Sequence, residues 1–308
     1  MSITPLPVHQ ATSGPHAGMV ILQLEQPGRA VVVLDHELVQ RLEAALKLVP
    51  PSATGLVLAS SSERVFVAGA DLRAISELDD AQLTAYLEYA ARVFGMIAGL
   101  PFPTVAAING AALGGGLELA MHCDGLVASP PHGGNGKPAK PYPVGLPECA
   151  LGLCPGWGGT NLLPARMDPA GGILRTAAGQ TMMFDEASGL GLFDRIAPSA
   201  EQLRETALAW LSERPRVARP EPRNTPGRWI GQPERAAATL KALDSMELPQ
   251  TPSARAVREA VEAGLSQGWE AATAVERRRL VELRHTPEAR AALAAFFERS
   301  AAPKPGAA

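Results

Sequence analysis

The sequence predicts an α/β protein, and three observations lead to that class. Short apolar strands alternate with helical segments over residues 18–211, a pattern typical of helices that cover a mostly parallel sheet. The chain is 46% hydrophobic and 19% charged, as is ordinary for a soluble globular enzyme. Its most apolar window, residues 104–121, is interrupted by Asn109, three glycines and Glu118, so it does not predict a membrane span.

The first predicted elements are strands and helices of ordinary length. Residues 18–24 and 30–34 predict two strands of a hairpin, because a Gln-Pro-Gly-Arg turn separates them. Asp35 is a helix-cap candidate, because apolar residues recur after it at helical spacing. A buried strand at residues 54–60 and an amphipathic helix at residues 81–98 follow.

The next stretch organises the chain. Residues 104–108 predict a short buried strand, and the Asn-Gly pair after it predicts a turn. Gly114, Gly115 and Gly116 then begin an apolar helix, where backbone N–H groups are still unpaired. Bare amides at the positive end of a helix can bind an oxygen that carries negative charge. Glu118 lies in the first turn, either as a structural partner of the helix dipole or as a functional carboxylate.

A second run of small residues, Ala68, Gly69, Ala70 and Asp71, ends another predicted strand. It can present backbone amides to a ligand in the way the three glycines can. The alternative is a plain turn from strand to helix, in which Asp71 caps the next helix. Both interpretations stay open on the residues alone.

Glu148 is a second carboxylate in an apolar neighbourhood, between Pro147 and the apolar segment that begins at residue 149. It is either a functional acid or base or a cap residue paired with an arginine. After Pro155 comes a rigid turn, for which Thr160 is the predicted helix cap. The polar insert at residues 133–143 is not a phosphate-binding loop, because a proline follows its only Gly-Lys pair.

The remaining elements complete the predicted domain organisation. Residues 1–215 form the core domain, residues 216–252 a loose proline-rich connection, and residues 253–308 a C-terminal region of two or three helices. Within the core, the later predicted elements are helices at 173–178, 184–189 and 201–211 and a strand segment at 190–196.

Composition excludes several function classes. A net charge of −3 and 5% aromatic residues do not favour nucleic-acid binding. Three cysteines in apolar contexts predict buried free thiols, and six histidines show no metal-ligand spacing, so neither a metal nor a cofactor is expected. The first 17 residues lack the pattern of a secretory signal, which predicts a cytoplasmic protein.

Two amide clusters and two carboxylates in apolar settings form a coherent chemical set. Two amides can hold a developing oxyanion, and carboxylates near low-dielectric walls have raised proton affinity. A serine nucleophile elbow is absent from the sequence. The set therefore predicts enolate stabilisation, with proton movement or water addition next to a carbonyl.

These residues resemble the crotonase (enoyl-CoA hydratase/isomerase) superfamily over roughly residues 18–215. The tail, residues 276–297, resembles the end of the hydratase part of bifunctional fatty-acid oxidation α subunits. The segments that carry the core resemblance are Phe66–Leu72, Pro103–Asp124, Gly145–Glu148, Leu151–Thr160 and Met183–Asp194.

The resemblance implies a ββα superhelical (spiral) core with a helical C-terminal region, assembled as a trimer or a dimer of trimers. It places an acyl-CoA thioester carbonyl between the amides of Ala70 and Gly115, with coenzyme A entering as part of the substrate. It makes Glu148 the group that exchanges the α-carbon proton and Glu118 the group that activates water. The implied substrate-binding residues are Ala68, Gly69, Asp71, Leu72, Gly114 and Gly116.

The resemblance favours a 2-enoyl-CoA hydratase of fatty-acid β-oxidation, because both Glu118 and Glu148 are present. The nearest alternative is a Δ3,Δ2-enoyl-CoA isomerase, which can work with one carboxylate. A third is a non-catalytic acyl-CoA-binding subunit, and a separate 3-hydroxyacyl-CoA dehydrogenase is an implied partner. The insert at residues 133–143 is expected to shape the mouth of the acyl pocket.

Overall fold

A computed structural model describes residues 3–133, 139–214 and 233–301. Its strands are β1 (Val8–Gln10), β2 (Met19–Leu24), β3 (Gly55–Ser60), β4 (Val65–Val67), β5 (Thr104–Ile108), β6 (Ala111–Leu113), β7 (Gly125–Ala128), β8 (Pro143–Gly145), β9 (Thr181–Met183) and β10 (Arg195–Ile196). Its helices are α1 (His36–Leu48), α2 (Leu72–Glu77), α3 (Asp80–Ala98), α4 (Gly115–Met121), the 3-10 helix Glu148–Leu151, α5 (Gly159–Arg166), α6 (Pro169–Ala178), α7 (Phe184–Gly189), α8 (Leu203–Ser212), α9 (Pro233–Leu243), α10 (Pro252–Gln267), α11 (Trp269–Leu283) and α12 (Pro287–Ala301).

The strands form two sheets. The larger has the order β1-β2-β3-β5-β7-β10, in which only β1 pairs antiparallel. The smaller has the order β4-β6-β8-β9, in which β4, β6 and β8 are parallel. The predicted α/β class is confirmed, as is the helical C-terminal region. Because three parallel strands of the small sheet end at one edge, the segments after them meet there.

The predicted hairpin between residues 18–24 and 30–34 is wrong. Strand β2 pairs antiparallel with β1 instead, and residues 32–34 run beside the segment that follows β4. The Ala68 amide donates to the carbonyl of Val32, and the Leu34 amide donates to the carbonyl of Gly69. Hydrogen bonds to a distant segment therefore replace the local turn pairing that the Pro-Gly dipeptide suggested.

Strand β3 is buried on both faces, as expected for a parallel strand between two layers. Leu56 and Leu58 belong to the main apolar core, and Val57 belongs to a second apolar cluster that also contains Trp210 of α8. The main core also contains Val257 of α10, so the C-terminal helices share it with the sheets. Among the described helices, none has an apolar stretch long enough to cross a bilayer.

Part of the predicted proline-rich connection is helical. Residues 215–232 lie outside the described residues, but Pro233 begins α9, where proline is favoured because its missing N–H needs no partner. The Ala-rich segment after it has high helix propensity. This propensity outweighs the extended conformation that the upstream prolines predicted for the connection. Of the polar insert, residues 134–138 also lie outside the described part.

Candidate active site

Three predicted site segments meet at one edge of the small sheet. Residues 68–71 follow β4, residues 114–116 follow β6, and residues 146–148 follow β8. The register pairs Val67 with Ala112 and Leu113 with Gly145, so these carboxyl ends are neighbours. The structure therefore brings together segments that lie about 30 to 50 residues apart in the chain, as parallel strands with crossovers do.

The amides of Ala70 and Gly115 are available to a ligand at this edge. Leu34 binds the backbone on either side of Ala70, accepting from the amide of Asp71 and donating to Gly69, and the N–H of Ala70 points away from it. Gly115 is the first residue of α4, so its N–H has no acceptor within the helix. Within the described residues, neither amide donates a hydrogen bond to a protein acceptor.

Glycine is required where α4 lies against β4 and the aromatic core. A Cβ on Gly116 would lie 2.4 Å from the carbonyl oxygen of Val67, and one on Gly115 would lie 2.4 Å from the ring of Trp157. Gly114 has φ of 50°, and its amide donates to the carbonyl of Gly145 over 2.8 Å. The three glycines therefore allow α4 to lie close to β4 and to the ring of Trp157.

The carboxylate of Asp71 has a structural role. It caps α2 by accepting from the amide of Ala74 over 3.2 Å, and it forms an ion pair with Arg29 at 3.3 Å. The capping alternative is therefore confirmed for this side chain. Leu72, the next residue, lines an apolar cavity of about 410 Å³ that Leu83, Leu153 and Leu280 also line.

Glu118 is buried and held by a loop. Its Oε1 accepts from the amides of Trp157 and Gly159, both over 2.8 Å. Burial raises the pKa of Glu118 to about 7, although the backbone amides around it lower that pKa. Its carboxylate thus points into the protein and binds amides of a distant loop, so it is more than a partner of its own helix dipole.

In contrast to Glu118, Glu148 accepts no hydrogen bond from any other described residue through its carboxylate. It begins the 3-10 helix as a half-buried residue, but its Oε2 is shielded from solvent and makes no hydrogen bond. Burial, followed by the negative charge of Glu118, raises the pKa of Glu148 well above its usual value. Among the described residues no arginine pairs with Glu148, so the alternative of an arginine-paired cap finds no support there.

A third carboxylate, Glu276 of α11, was not among the predicted site residues. It is fully buried and accepts from the amide of Gly158 over 2.5 Å, and from the amide and hydroxyl of Thr160 over 2.9 Å and 2.5 Å. Burial and then the charge of Glu118 raise the pKa of Glu276 to about 8.

This contact also corrects the predicted cap. Gly158, with φ of 98°, is the N-cap of α5, and the hydroxyl of Thr160 donates to Glu276 rather than capping the helix. A sequence signal for Glu276 exists, because it falls in line with Ala272, Leu280 and Leu283 on the buried face of α11. A charged residue in such an apolar stripe needs a partner.

The three buried carboxylates have no cation among them. Within residues 3–133, 139–214 and 233–301, no lysine or arginine forms an ion pair with Glu118, Glu148 or Glu276. Like charges at close range cannot all ionise in a low-dielectric interior, so the cluster shares protons. Such a group can both donate and accept a proton near neutral pH.

Fold and site together define a class: α/β proteins that pair two free backbone amides with buried carboxylates beside an apolar cavity. The family model described as Enoyl-CoA hydratase/isomerase matches residues 15–219. The chain belongs to the enoyl-CoA hydratase/isomerase family.

Solved structures share this fold at low sequence identity. Human mitochondrial delta3-delta2-enoyl-CoA isomerase is 20% identical, over 96% of this chain and 98% of that chain, with a TM-score of 0.67. An enoyl-CoA hydratase from Bacillus anthracis is 23% identical, over 96% and 97%, with a TM-score of 0.59. DspI from Pseudomonas aeruginosa is 21% identical, over 96% and 94%, with a TM-score of 0.59.

Proposed function

We propose that this chain is an enoyl-CoA hydratase that adds water to 2-enoyl-CoA thioesters. The observation that carries the proposal is the combination of two free amides with two buried, coupled carboxylates at one sheet edge. The family alone does not separate hydration from isomerisation, since a hydratase and an isomerase both share the fold.

The amides of Ala70 and Gly115 would bind the thioester oxygen. As water adds, negative charge develops on that oxygen, and donors aimed at it in advance lower the barrier. Gly69 and Gly114 keep the backbone close at this point without side chains in the way. The acyl chain would extend past Leu72 into the cavity that continues between α2 and the C-terminal helices.

The two carboxylates would divide the proton transfers. Glu148 holds its proton tightly and makes no hydrogen bond through Oε2, so it suits delivery of a proton to the α-carbon. Glu118 has a pKa of about 7 and is anchored by two amides, so it suits holding and deprotonating the attacking water. Because the two carboxyls titrate together, these roles describe the protonation state that the pair favours, with the proton on Glu148 and the charge on Glu118.

The test is hydration of crotonyl-CoA, followed by loss of the absorbance of the conjugated thioester. Glu118→Gln and Glu148→Gln are each expected to lower kcat/KM by about 10²–10⁴-fold, the range typical of a lost general acid or base. Glu282→Gln, an exposed glutamate on α11, is the matched control. Undiminished hydration in both active-site variants would contradict the proposed mechanism.

The same variants separate the alternatives. An isomerase would convert 3-enoyl-CoA to 2-enoyl-CoA and keep that activity in Glu118→Gln, because one carboxylate can move a proton along the substrate. A non-catalytic subunit would bind acyl-CoA yet turn over neither substrate. The cation-free carboxylate cluster favours catalysis, because burying carboxyls without counter-ions costs stability that mere binding does not require.

Several finer expectations accompany this proposal. The chain would act in fatty-acid β-oxidation in the cytoplasm, as a trimer or dimer of trimers, with a separate 3-hydroxyacyl-CoA dehydrogenase. The resemblance of residues 276–297 to bifunctional α subunits and the three-part division at 215 and 252 stay predictions. Mass photometry of the purified chain tests the assembly, since a trimer would have three times the 32.2 kDa mass.

A further inference from the structure

The loop between Pro155 and α5 is held by two carboxylates from opposite directions. Glu118 accepts the amides of Trp157 and Gly159, whereas Glu276 accepts the amides of Gly158 and Thr160. Four successive N–H groups therefore alternate between two buried glutamates. Gly158 has φ of 98°, and Gly159 and Thr160 are the first residues of α5, where backbone amides have no acceptor within the helix.

Glu276 is itself fixed by a chain of side chains. The hydroxyl of Thr160 donates to it, and the side-chain Nδ2 of Asn161 donates both to that hydroxyl over 2.9 Å and to the carbonyl of Ala260 over 3.1 Å. A Cβ on Gly264 would lie 2.0 Å from Oδ1 of Asn161, so α10 fits closely around this network. The position of Glu276 is thereby tied to two C-terminal helices.

Packing alone does not explain a glutamate here. The other buried residues of α11 are uncharged, three of them apolar and one a threonine, Thr273. Burying a carboxyl group there costs free energy that an apolar residue of similar size would avoid. Its ionisable neighbours are Glu118 on α4, Glu148 on the 3-10 helix and Cys154 in the loop. Charged groups from α10 and α3, such as Glu259 and Arg92, pair elsewhere on the outer surface.

We propose that Glu276 is a positioning residue, which holds residues 158 and 160 so that the amides of residues 157 and 159 fix Glu118. This inference rests on the proposed function only for its effect on turnover. Glu276 lies behind the loop, and its hydrogen bonds reach Glu118 only through the backbone. Its effect is therefore expected on the chemical step and not on substrate binding by Ala70, Gly115 and the acyl cavity.

The decisive variant is Glu276→Gln, with Glu282→Gln as the control on the same helix. Glutamine keeps the size, but its NH2 group cannot accept a hydrogen bond and would face the donor at Gly158 or Thr160, whereas both oxygens of a carboxyl can accept in either protonation state. The amides of Trp157 and Gly159, which Glu276 does not touch, are expected to exchange hydrogen at least about tenfold faster, the equivalent of one lost hydrogen bond. With crotonyl-CoA, kcat is expected to fall at least about tenfold while KM stays nearly constant.

Unchanged exchange at Trp157 and Gly159 in a folded Glu276→Gln protein would overturn the inference. If that variant does not fold, Thr160→Val decides, because it removes one hydroxyl donor and keeps every backbone amide. Faster exchange of the two amides in Thr160→Val supports the inference, and wild-type exchange rejects it. Hydrogen exchange needs no substrate, so it is measured independently of turnover. If the chain had no hydratase activity, the proposed function would be wrong, but the exchange result would still test the role of Glu276.

Discussion

The site has two halves that treat polar groups in opposite ways. The sheet half, formed by Ala70, Gly115 and Glu148, leaves two amides and one carboxylate oxygen without protein partners. The helical half, formed by residues 157–160 with Glu118 and Glu276, binds every one of its four amides to a carboxylate. Unsatisfied buried groups cost stability, so the free amides and the free carboxylate oxygen of the sheet half mark where a ligand belongs.

The difference also separates roles within the carboxylate cluster. A carboxylate that accepts two amides of a neighbouring loop is oriented and keeps its charge more readily, whereas one that is desolvated beside another negative charge keeps its proton. Glu118 and Glu148 have the same side chain and share one site, yet their surroundings suit them to different steps. Substitutions confined to one half should therefore change the free energy of unfolding and the turnover rate to different extents.

The largest expected effect is the pH dependence of stability. The pKa of Glu118 is raised to about 7 and that of Glu276 to about 8, so the folded chain binds more protons than the unfolded chain at neutral pH. The free energy of unfolding should fall as pH rises from about 6.5 to 8, by about 1.4 kcal/mol per pH unit for each carboxyl that stays protonated only in the folded state. Urea unfolding between pH 6.5 and 9 measures it.

Another buried group offsets part of this trend below pH 6.5, where the carboxyl contribution is already being lost above the ordinary glutamate pKa of 4.5. Burial lowers the pKa of His122 to about 4, so this residue opposes the trend below its usual value of 6.5, where the unfolded chain binds the extra proton. Glu148→Gln and Glu276→Gln should each flatten the slope above pH 6.5, and Glu282→Gln should not. A stability that rises with pH across this window would be the contrary result.

A smaller effect is expected from Gly114→Ala, which disturbs the sheet half alone. The added Cβ would lie 2.4 Å from Oε1 of Glu148, and φ of 50° is strained for alanine. We expect a loss of about 1–3 kcal/mol in the free energy of unfolding, with a larger fractional loss of crotonyl-CoA hydration as Glu148 is displaced. Gly189→Ala is the control, since nothing lies within 4 Å of its Cβ position.

The smallest effect is expected in the helical half, from Trp157→Phe. The indole N–H donates to the carbonyl of Leu87 over 3.1 Å, and its loss should cost about 1 kcal/mol of unfolding free energy beyond the lost packing. Trp210→Phe estimates the packing part, because Nε1 of Trp210 makes no hydrogen bond to any residue that the structure describes. Turnover should change little, because the group that holds Glu118 is the backbone amide; a collapse of turnover would contradict this.

The sequence was most informative about the sheet half. Glycines and small residues at strand ends, with Glu118 and Glu148 in apolar runs, predicted the segments that the structure brings together. The three-residue strands β6 and β8 were not predicted, because Ala-Ala-Leu and Pro-Val-Gly are too short to show alternation. Their pairing depends on neighbours that only the folded sheet provides.

Most contacts of the helical half could not be predicted from local sequence patterns. The turn at residues 155–159 was expected, but its partner Glu276 lies more than a hundred residues later, and no spacing rule links the two. The hairpin of residues 30–34 failed for a related reason. The turn before residue 30 was predicted correctly, but the backbone groups of Val32 and Leu34 form their hydrogen bonds with residues 68 and 69 and not with β2.

The alternation of amides between two glutamates has a consequence for how the chain matures during synthesis. Residues 157–160 leave the ribosome long before Glu276, so half of their donors stay without acceptors until α11 docks. Closing a loop of that length is entropically costly and slow compared with local pairing. A nascent chain that ends within the family-matched segment, residues 15–219, should hold Glu118 loosely. Competence for chemistry is then expected to be among the last properties the protein acquires.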